Sequence, residues 1–186
     1  MNEDHAALCA SQEWAEHIAD TVLPAALGEL ALGDDVLEIG PGYGASTWQL
    51  VDTVPSLTAL EVDETLANEL AAAFPHVTVV QGSGDHMPFE DGRFSAVVCF
   101  TMLHHVLTPE MQDGLFAEAR RVLQPGGVFA GSDSIDNPDW REFHGGDTCT
   151  PVDPIDLPRR LTTAGFVQVD VRVEEPGEWF VFSARA

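Results

Sequence analysis

Residues 36–44 read Val36-Leu37-Glu38-Ile39-Gly40-Pro41-Gly42-Tyr43-Gly44, a short apolar run that ends in a glycine-rich turn. The apolar run predicts a buried β-strand, and a helical pattern follows the turn over residues 47–54. Glycines in such a turn permit positive φ angles and let a ligand approach the backbone closely. The helix adds N–H groups that lack intrahelical partners. The stretch therefore predicts a ligand-binding turn between a first strand and a helix.

Strand and helix patterns alternate along the rest of the chain, and the tail changes to a period of two. Strands are predicted at 36–39, 57–62, 77–80, 95–100 and 128–132, helices at 6–30 (broken near Pro24), 47–54, 64–74, 109–123 and 153–164, and an antiparallel hairpin at 166–173 and 179–184. This order predicts an α/β fold, a Rossmann-like three-layer αβα sandwich whose mainly parallel seven-stranded sheet ends in a C-terminal antiparallel hairpin. Ligands are expected beyond the carboxyl ends of the parallel strands.

Length and composition predict one globular domain. The chain has 186 residues, of which 45% are hydrophobic, and we expect residues 1–33 to form a helical cap on a core of residues 34–186. No run of eighteen apolar residues predicts a membrane span, and the first residues lack the pattern of a signal peptide. Three scattered cysteines without CxxC spacing fit a reducing compartment, so we expect a cytoplasmic protein.

The charge balance is strongly acidic. Eight arginines and no lysine face 31 acidic residues, which gives a formal net charge of −23. Such a chain repels phosphate backbones and anionic lipid head groups, so neither nucleic acid nor membrane is expected as a partner.

Glu61 stands near the end of the second predicted strand, twenty-one residues after Gly40. A carboxylate there can accept hydrogen bonds from both hydroxyls of a ribose. With Ala45 the turn also fits the dinucleotide pattern G-x-G-x-x-G/A, so an NAD-linked oxidoreductase stays open, as does a turn without ligand. Glu38 favours an ammonium group over a pyrophosphate, because its charge lies just before the turn.

From Val36 to Phe166 the chain resembles the class I S-adenosylmethionine-dependent methyltransferases of the small-molecule type. Five motifs in the family's order carry the resemblance: residues 36–44, Leu60-Glu61-Val62-Asp63, Met87-Pro88-Phe89-Glu90-Asp91-Gly92-Arg93-Phe94, Leu103-His104-His105, and Arg121-Val122-Leu123-Gln124-Pro125-Gly126-Gly127. The resemblance implies transfer of a methyl group to a small-molecule acceptor, mainly by alignment in a closed pocket.

The resemblance also implies S-adenosylmethionine as cofactor and a set of residues around it. The methionine part would lie near Glu38, Gly40, Gly42 and Gly44, the ribose on Glu61, the adenine against Val62, Ser83 and Gly84, and the methyl group near Phe100 and Thr101. Ser83 stands where the family usually has Asp, although Asp85 could substitute for it. This departure leaves a catalytically inactive cofactor-binding or regulatory module as the alternative.

The acceptor side is predicted from isolated side chains. His104 and His144 are candidate bases, and Trp14 and Arg141 are candidate acceptor contacts. The connection at residues 140–149 is expected to overhang the cofactor's reactive end. No metal site is predicted, because no third ligand is evident beside the adjacent His104 and His105.

Overall fold

A computed structural model describes residues 2–147 and 149–186 of the chain. Its centre is a seven-stranded sheet in the order β3-β2-β1-β4-β5-β7-β6. The strands are β1 (Asp35–Ile39), β2 (Ser56–Glu61), β3 (Thr78–Gln81), β4 (Phe94–Phe100), β5 (Leu123–Ser134), β6 (Val167–Glu174) and β7 (Trp179–Arg185). β1 to β5 pair in parallel, whereas β7 runs antiparallel between β5 and β6. The predicted fold class is confirmed.

Helices precede the sheet and connect its strands. They are α1 (Glu3–Cys9), α2 (Gln12–His17), a π-helical turn (Ile18–Val22), α3 (Leu23–Leu27), α4 (Thr47–Leu50), α5 (Glu64–Ala73), a 3₁₀ turn (Leu103–His105), α6 (Pro109–Val122), α7 (Pro138–Phe143) and α8 (Leu157–Thr163). α4 and α8 are shorter than predicted.

The break in the N-terminal helical segment lies earlier than predicted. α1 ends before Ala10, and Ser11 caps α2 by accepting the N–H of Trp14 at 3.1 Å. A serine at this position stabilises the start of a helix, because its hydroxyl accepts a backbone N–H that has no partner within the helix. Pro24 instead lies in the first turn of α3, where a missing N–H is tolerated. The local cap, and not the proline, therefore sets the break.

Two further boundaries differ from the prediction. β5 begins at Leu123, immediately after α6, and residues 125–127 lie within the strand, where its register against β4 shifts. The connection after β5 contains α7, which was not predicted. Asn137 caps this helix by accepting the N–H of Trp140 at 2.9 Å, and Pro138 occupies its first position.

Apolar side chains cover both faces of the sheet. Leu37, Val97 and Phe129 belong to one core cluster, while Val36 and Val98 from the alternate positions belong to the other. Because both faces are buried, the parallel strands are nearly continuous apolar runs. Because β1, β2 and β4 are parallel, the glycine turn, the end of β2 and the 3₁₀ turn after β4 lie at the carboxyl edge of the sheet. Across residues 2–147 and 149–186, no helix has the length and apolar character needed to cross a membrane.

Candidate functional site

The glycine turn after β1 is held against β2. Gly40 donates its N–H to the carbonyl of Leu60 at 2.8 Å. Gly42 and Gly44 have φ angles of 55° and 83°, a region that L side chains rarely adopt. A Cβ on Gly44 would lie 2.9 Å from Leu70 Cδ1, whereas one on Gly42 would meet no described atom within 4 Å. Gly44 thus allows close packing, and Gly42 leaves open space beside the turn.

Glu61 faces this turn and not bulk water. Its Oε2 accepts the N–H of Gly42 at 3.0 Å, and its Oε1 accepts the N–H of Asp63 at 3.0 Å. The side chain is only 4% exposed. Each carboxylate oxygen can accept about two hydrogen bonds. The carboxylate is therefore fixed by two backbone contacts, and each oxygen keeps one further acceptor position.

Glu38 is buried beneath the same turn. Thr47 donates its hydroxyl to Glu38 Oε2 at 2.7 Å, and Ser46 donates to Oε1. Burial raises the pKa of Glu38 to about 7, against the two hydroxyl donors, which lower it, and with a smaller contribution from the charge of Glu61. The carboxyl group is consequently poised to change its charge near neutral pH.

Two cavities meet along the glycine turn and share Gly40, Met102 and His105. The first has a volume of about 90 Å³ and is lined in part by Trp14, Gly42, Ser46, Phe100 and Thr101. The second has a volume of about 260 Å³ and is lined in part by Leu60, Val62, Gly82, Ser83, Gly84 and Asp85. Together they form a continuous groove along the carboxyl ends of β1, β2 and β4.

Although Ser83 stands where the family usually has Asp, the wall of the second cavity still contains a carboxylate. Ser83 donates its hydroxyl to Asp85, and both residues line the second cavity. Asp85 therefore places a carboxylate on the wall of the second cavity beside Ser83.

A third cavity continues from the first beyond Trp14 and Thr101, which line both. Its volume is about 310 Å³, and its other walls include the aromatic side chains of Trp140, Phe143 and Trp179. Asp139 and Glu178 also line it, and no arginine does so among the described residues. Thr101 has a φ of 51°, an uncommon backbone conformation that clusters at functional sites.

The two histidines predicted as bases lie away from these cavities. His104 is 3% exposed, and its Nδ1 lies 2.5 Å from Asp133 Oδ1. His144 is 7% exposed, and its Nδ1 lies 2.7 Å from the carbonyl oxygen of Trp140. Neither lines any of the three cavities, so their assignment as bases is not supported. The adjacent His105 lines the first two instead, and burial and the neighbouring histidines lower its pKa to about 3.

Of the two predicted acceptor contacts, the structure brings only Trp14 to the cavities. Arg141 is exposed on α7, and its guanidinium Nε donates to Asp136 at 2.6 Å. It lines none of the three cavities, so the structure does not bring it to the candidate acceptor side. The cavity wall uses Trp140 and Phe143 of the same helix, because the arginine side chain turns outward to a carboxylate close in sequence.

The sequence shows no third ligand beside His104 and His105, but the structure places two further histidines next to them. His5 from α1 and His144 from the end of α7 join them, with ring centroids 4.4 Å apart for His5–His144 and 4.1 Å apart for His104–His105. Sequence reasoning missed His5 and Asp133, because their separation from His104 along the chain carries no local signal.

Residues 37–131 match the family described as "Methyltransferase domain". A Mycolicibacterium smegmatis protein named "Probable S-adenosylmethionine-dependent methyltransferase" is 30% identical over 148 residues, which are 75% of this chain and 54% of that protein. An uncharacterized methyltransferase of Synechocystis sp. is 29% identical over 163 residues, which cover 83% of this chain and 76% of that protein. The chain thus spans about half the length of the first of these relatives.

Solved structures share the fold. In a complex of the Haloferax volcanii Trm112 methyltransferase activator with a methyltransferase, one chain superposes with a TM-score of 0.77 at 16% identity, covering 100% of this chain and 98% of that one. A Bacillus halodurans methyltransferase superposes with a TM-score of 0.68 at 20% identity, covering 86% of this chain and 95% of that one.

Proposed function

This chain belongs to the class I S-adenosylmethionine-dependent methyltransferases, and we propose that it transfers a methyl group from that cofactor to a small-molecule acceptor. The observation that carries the proposal is the carboxylate of Glu61, which is fixed to the glycine turn with one acceptor position left on each oxygen. Two ribose hydroxyls match those positions. S-adenosylmethionine is the family's cofactor, and the residues present fit it.

The two joined cavities support a position for each part of the cofactor. Adenine would fill the larger cavity, packed on Val62 beside Ser83 and Gly84, with Asp85 accepting from its exocyclic amino group. The methionine part would follow the glycine turn through the smaller cavity, where the open space at Gly42 admits it. Glu38 would balance the ammonium charge from below, through Ser46 on the cavity wall.

The bound sulfonium group supplies an activated methyl group and a good leaving group. What remains for the chain is to align the acceptor nucleophile with that methyl group and to exclude water. Trp14 of α2 and Thr101, which follows β4, line both the first and the third cavity, and Phe100 at the end of β4 lines the first. These side chains would confine the reacting atoms there, and no base is assigned.

The third cavity is the proposed acceptor site. Three tryptophans and a phenylalanine line it together with Asp139 and Glu178. Aromatic faces and carboxylates attract cations, and the rings also accept apolar groups. The cavity therefore favours a cationic or apolar acceptor over an anionic one. Its volume of about 310 Å³ suits a small molecule.

A catalytically inactive binding module of the same fold is the second candidate, and Ser83 favours it because its hydroxyl brings no charge to the adenine edge. Both candidates predict cofactor binding, and they differ in turnover. Binding of the demethylated product, S-adenosylhomocysteine, is therefore measured by calorimetry, with NADH as the comparison ligand. Turnover is measured separately by mass spectrometry, with S-adenosylmethionine carrying an isotopically labelled methyl group and a panel of small amines, phenols and carboxylic acids.

Saturable binding of S-adenosylhomocysteine with transfer of the label to an amine or a phenol is the expected result. Binding without transfer to any member of the panel, or to any metabolite in a cell extract, would establish the inactive module. Absence of binding at millimolar concentration, or tighter binding of NADH, would overturn both candidates.

A further inference from the structure

Four of the seven histidines in the chain converge on one point, which we call the histidine cluster: His5, His104, His105 and His144. One ring nitrogen from each lies within 4.8 Å of the corresponding nitrogen of every other member. The four side chains come from three segments that are distant in sequence. α1 supplies His5, the 3₁₀ turn after β4 supplies His104 and His105, and the end of α7 supplies His144.

Three of these rings are oriented by a hydrogen bond at Nδ1. Asp133 holds His104, the carbonyl oxygen of Trp140 holds His144 at 2.7 Å, and Asp147 lies 3.1 Å from the Nδ1 of His5. A carboxylate or carbonyl at Nδ1 fixes the tautomer in which Nε2 carries a free lone pair. This second contact is the one that metal-binding histidines almost always make.

Two of the free nitrogens are buried and unpaired. Nε2 of His104 and Nε2 of His144 have no hydrogen-bond partner among the described residues, although both side chains are more than nine-tenths buried. Burying a polar atom without a hydrogen-bond partner is unfavourable, and the rings of His104 and His144 lie only 5.1 Å apart between centroids. Packing of aromatic rings alone leaves this cost uncompensated, whereas a cation between the nitrogens removes it.

We propose that the histidine cluster binds one divalent transition-metal ion, and that this ion is Zn²⁺. Imidazole nitrogens favour Zn²⁺ over Mg²⁺ and Ca²⁺, which prefer oxygen. Tetrahedral coordination at a Zn–N distance of about 2.0 Å places neighbouring nitrogens about 3.3 Å apart. The spread of 4.8 Å therefore needs only small rotations of the rings to close on an ion.

The arrangement points to a structural role for the ion. Four protein ligands leave a tetrahedral ion without an open position, as in structural zinc sites. The ion would join α1, the 3₁₀ turn and α7, which otherwise touch through isolated contacts such as Asn2 Nδ2 to the carbonyl of Phe143 at 2.9 Å. His105 also lines the first two cavities. The metal would therefore fix α1 against a residue of the cavity wall.

The test uses the full chain freed of any histidine tag and stripped with a chelator. Zn²⁺ is titrated calorimetrically, the bound metal is counted by mass spectrometry, and the melting temperature is recorded with and without Zn²⁺. The variants are His5→Ala and His144→Ala, with His76→Ala and His86→Ala as matched controls, because both of those histidines are exposed. Co²⁺ replaces Zn²⁺ in a parallel titration, since tetrahedral Co²⁺ absorbs strongly in the visible range.

We expect one Zn²⁺ per chain, a rise in melting temperature on binding, and the visible spectrum of tetrahedral Co²⁺. His5→Ala and His144→Ala should weaken Zn²⁺ binding at least about 100-fold, beyond the effect of losing an outer contact, while the two controls bind as the native chain does. Native chain that binds no more Zn²⁺ than the His5→Ala/His144→Ala double variant would overturn the proposal.

Native chain that shows no stoichiometric Zn²⁺ binding overturns the proposal even if the variants fail to fold. S-adenosylhomocysteine is titrated into the same metal-free and metal-loaded samples. The metal proposal does not rest on the proposed methyl transfer, so zinc binding without cofactor binding would contradict only the latter.

Discussion

Gly42 donates its backbone N–H to Oε2 of Glu61 across 3.0 Å, which joins the turn after β1 to the end of β2. A hydrogen bond to an ionised acceptor is stronger than one between neutral groups. The carboxylate is consequently held in one orientation beside Gly42, which lines the first cavity, although Glu61 itself is not a lining residue of the three described cavities. A diol would meet a carboxylate that is already oriented.

The first prediction concerns the charge at this position. Glu61→Gln keeps the shape of the side chain but removes its charge, and hydrogen bonds to charged groups contribute about 1.5–3 kcal/mol. We expect the dissociation constant for S-adenosylhomocysteine to rise about 10- to 100-fold in calorimetry. Glu69→Gln, at an exposed position on α5, is the control and should bind as the native chain does. Equal affinities of the Glu61→Gln variant and the native chain would contradict the ribose contact.

The second prediction separates two glycines of one turn. Gly44→Ala should lower the free energy of unfolding by about 2–5 kcal/mol, because its Cβ would meet Leu70 and Phe74 in addition to the cost of its positive φ. Gly42→Ala carries only the φ cost of about 1–2 kcal/mol, because its Cβ would point into open space. Gly42 lines the first cavity, so Gly42→Ala should also weaken cofactor binding. Urea unfolding and calorimetry measure the two effects, and a Gly42→Ala variant with native affinity would refute the assignment.

The third prediction is a pH dependence of stability. The pKa of Glu38 is about 7 in the folded chain against an ordinary value of 4.5, so the folded state binds this proton more tightly than the unfolded state does. The contribution of Glu38 to the free energy of unfolding is therefore complete below pH 4.5 and is lost as the pH rises through 7. The total loss is about 3 kcal/mol. Glu38→Gln cannot titrate and should have a flatter dependence. Urea unfolding of both chains at pH 5 and pH 7.5 measures how the free energy of unfolding changes with pH. An equal change in the two chains would contradict the prediction.

The fourth prediction concerns Arg121, whose guanidinium holds the segment before β4. It donates to the carbonyl oxygens of Met87 at 3.0 Å and Phe89 at 2.7 Å, and to Glu118 at 2.7 Å. Arg121→Met removes the donor from the two partly buried carbonyl oxygens and leaves Glu118 only the N–H of Met87, so we expect a loss of about 2–3 kcal/mol in the free energy of unfolding.

Arg159→Met is the matched control for this change. Arg159 forms an exposed ion pair with Asp156, the N-cap residue of α8, and such pairs contribute about 0–1 kcal/mol. Chemical denaturation of the two variants compares them directly. Equal losses would show that the Arg121 contacts add nothing beyond a surface ion pair.

Much of the sheet could be predicted because burial on both faces turns a parallel strand into a continuous apolar run. The hairpin of β6 and β7 was found from its alternation, since β6 has one face in solvent. Helix boundaries were less accessible, because short-range competition decides them. Ser11 caps a new helix ahead of Pro24, and Asn137 caps α7 in a segment without apolar periodicity.

The cofactor side of the candidate site was easier to predict than the acceptor side. Glu61 lies at the end of β2, so strand order alone brings it next to Gly42 of the glycine turn. His104 and His105 are adjacent, yet only the latter reaches the cavities, because the 3₁₀ turn directs the former to Asp133. A sequence does not show which of two neighbours on a tight turn faces inward. Nor does it show that α1 carries His5 to the same place.

The three cavities lie in a row, because the first shares residues with each of the others. A single molecule that tethers a nucleoside to an aromatic or ammonium group would therefore occupy both outer compartments at once. Once one end has docked, the tether gives the other a high effective concentration, so the conjugate should bind far more tightly than either fragment alone. The same geometry sets the tether length for an inhibitor, since the span from Val62 to Trp179 must be bridged past Thr101.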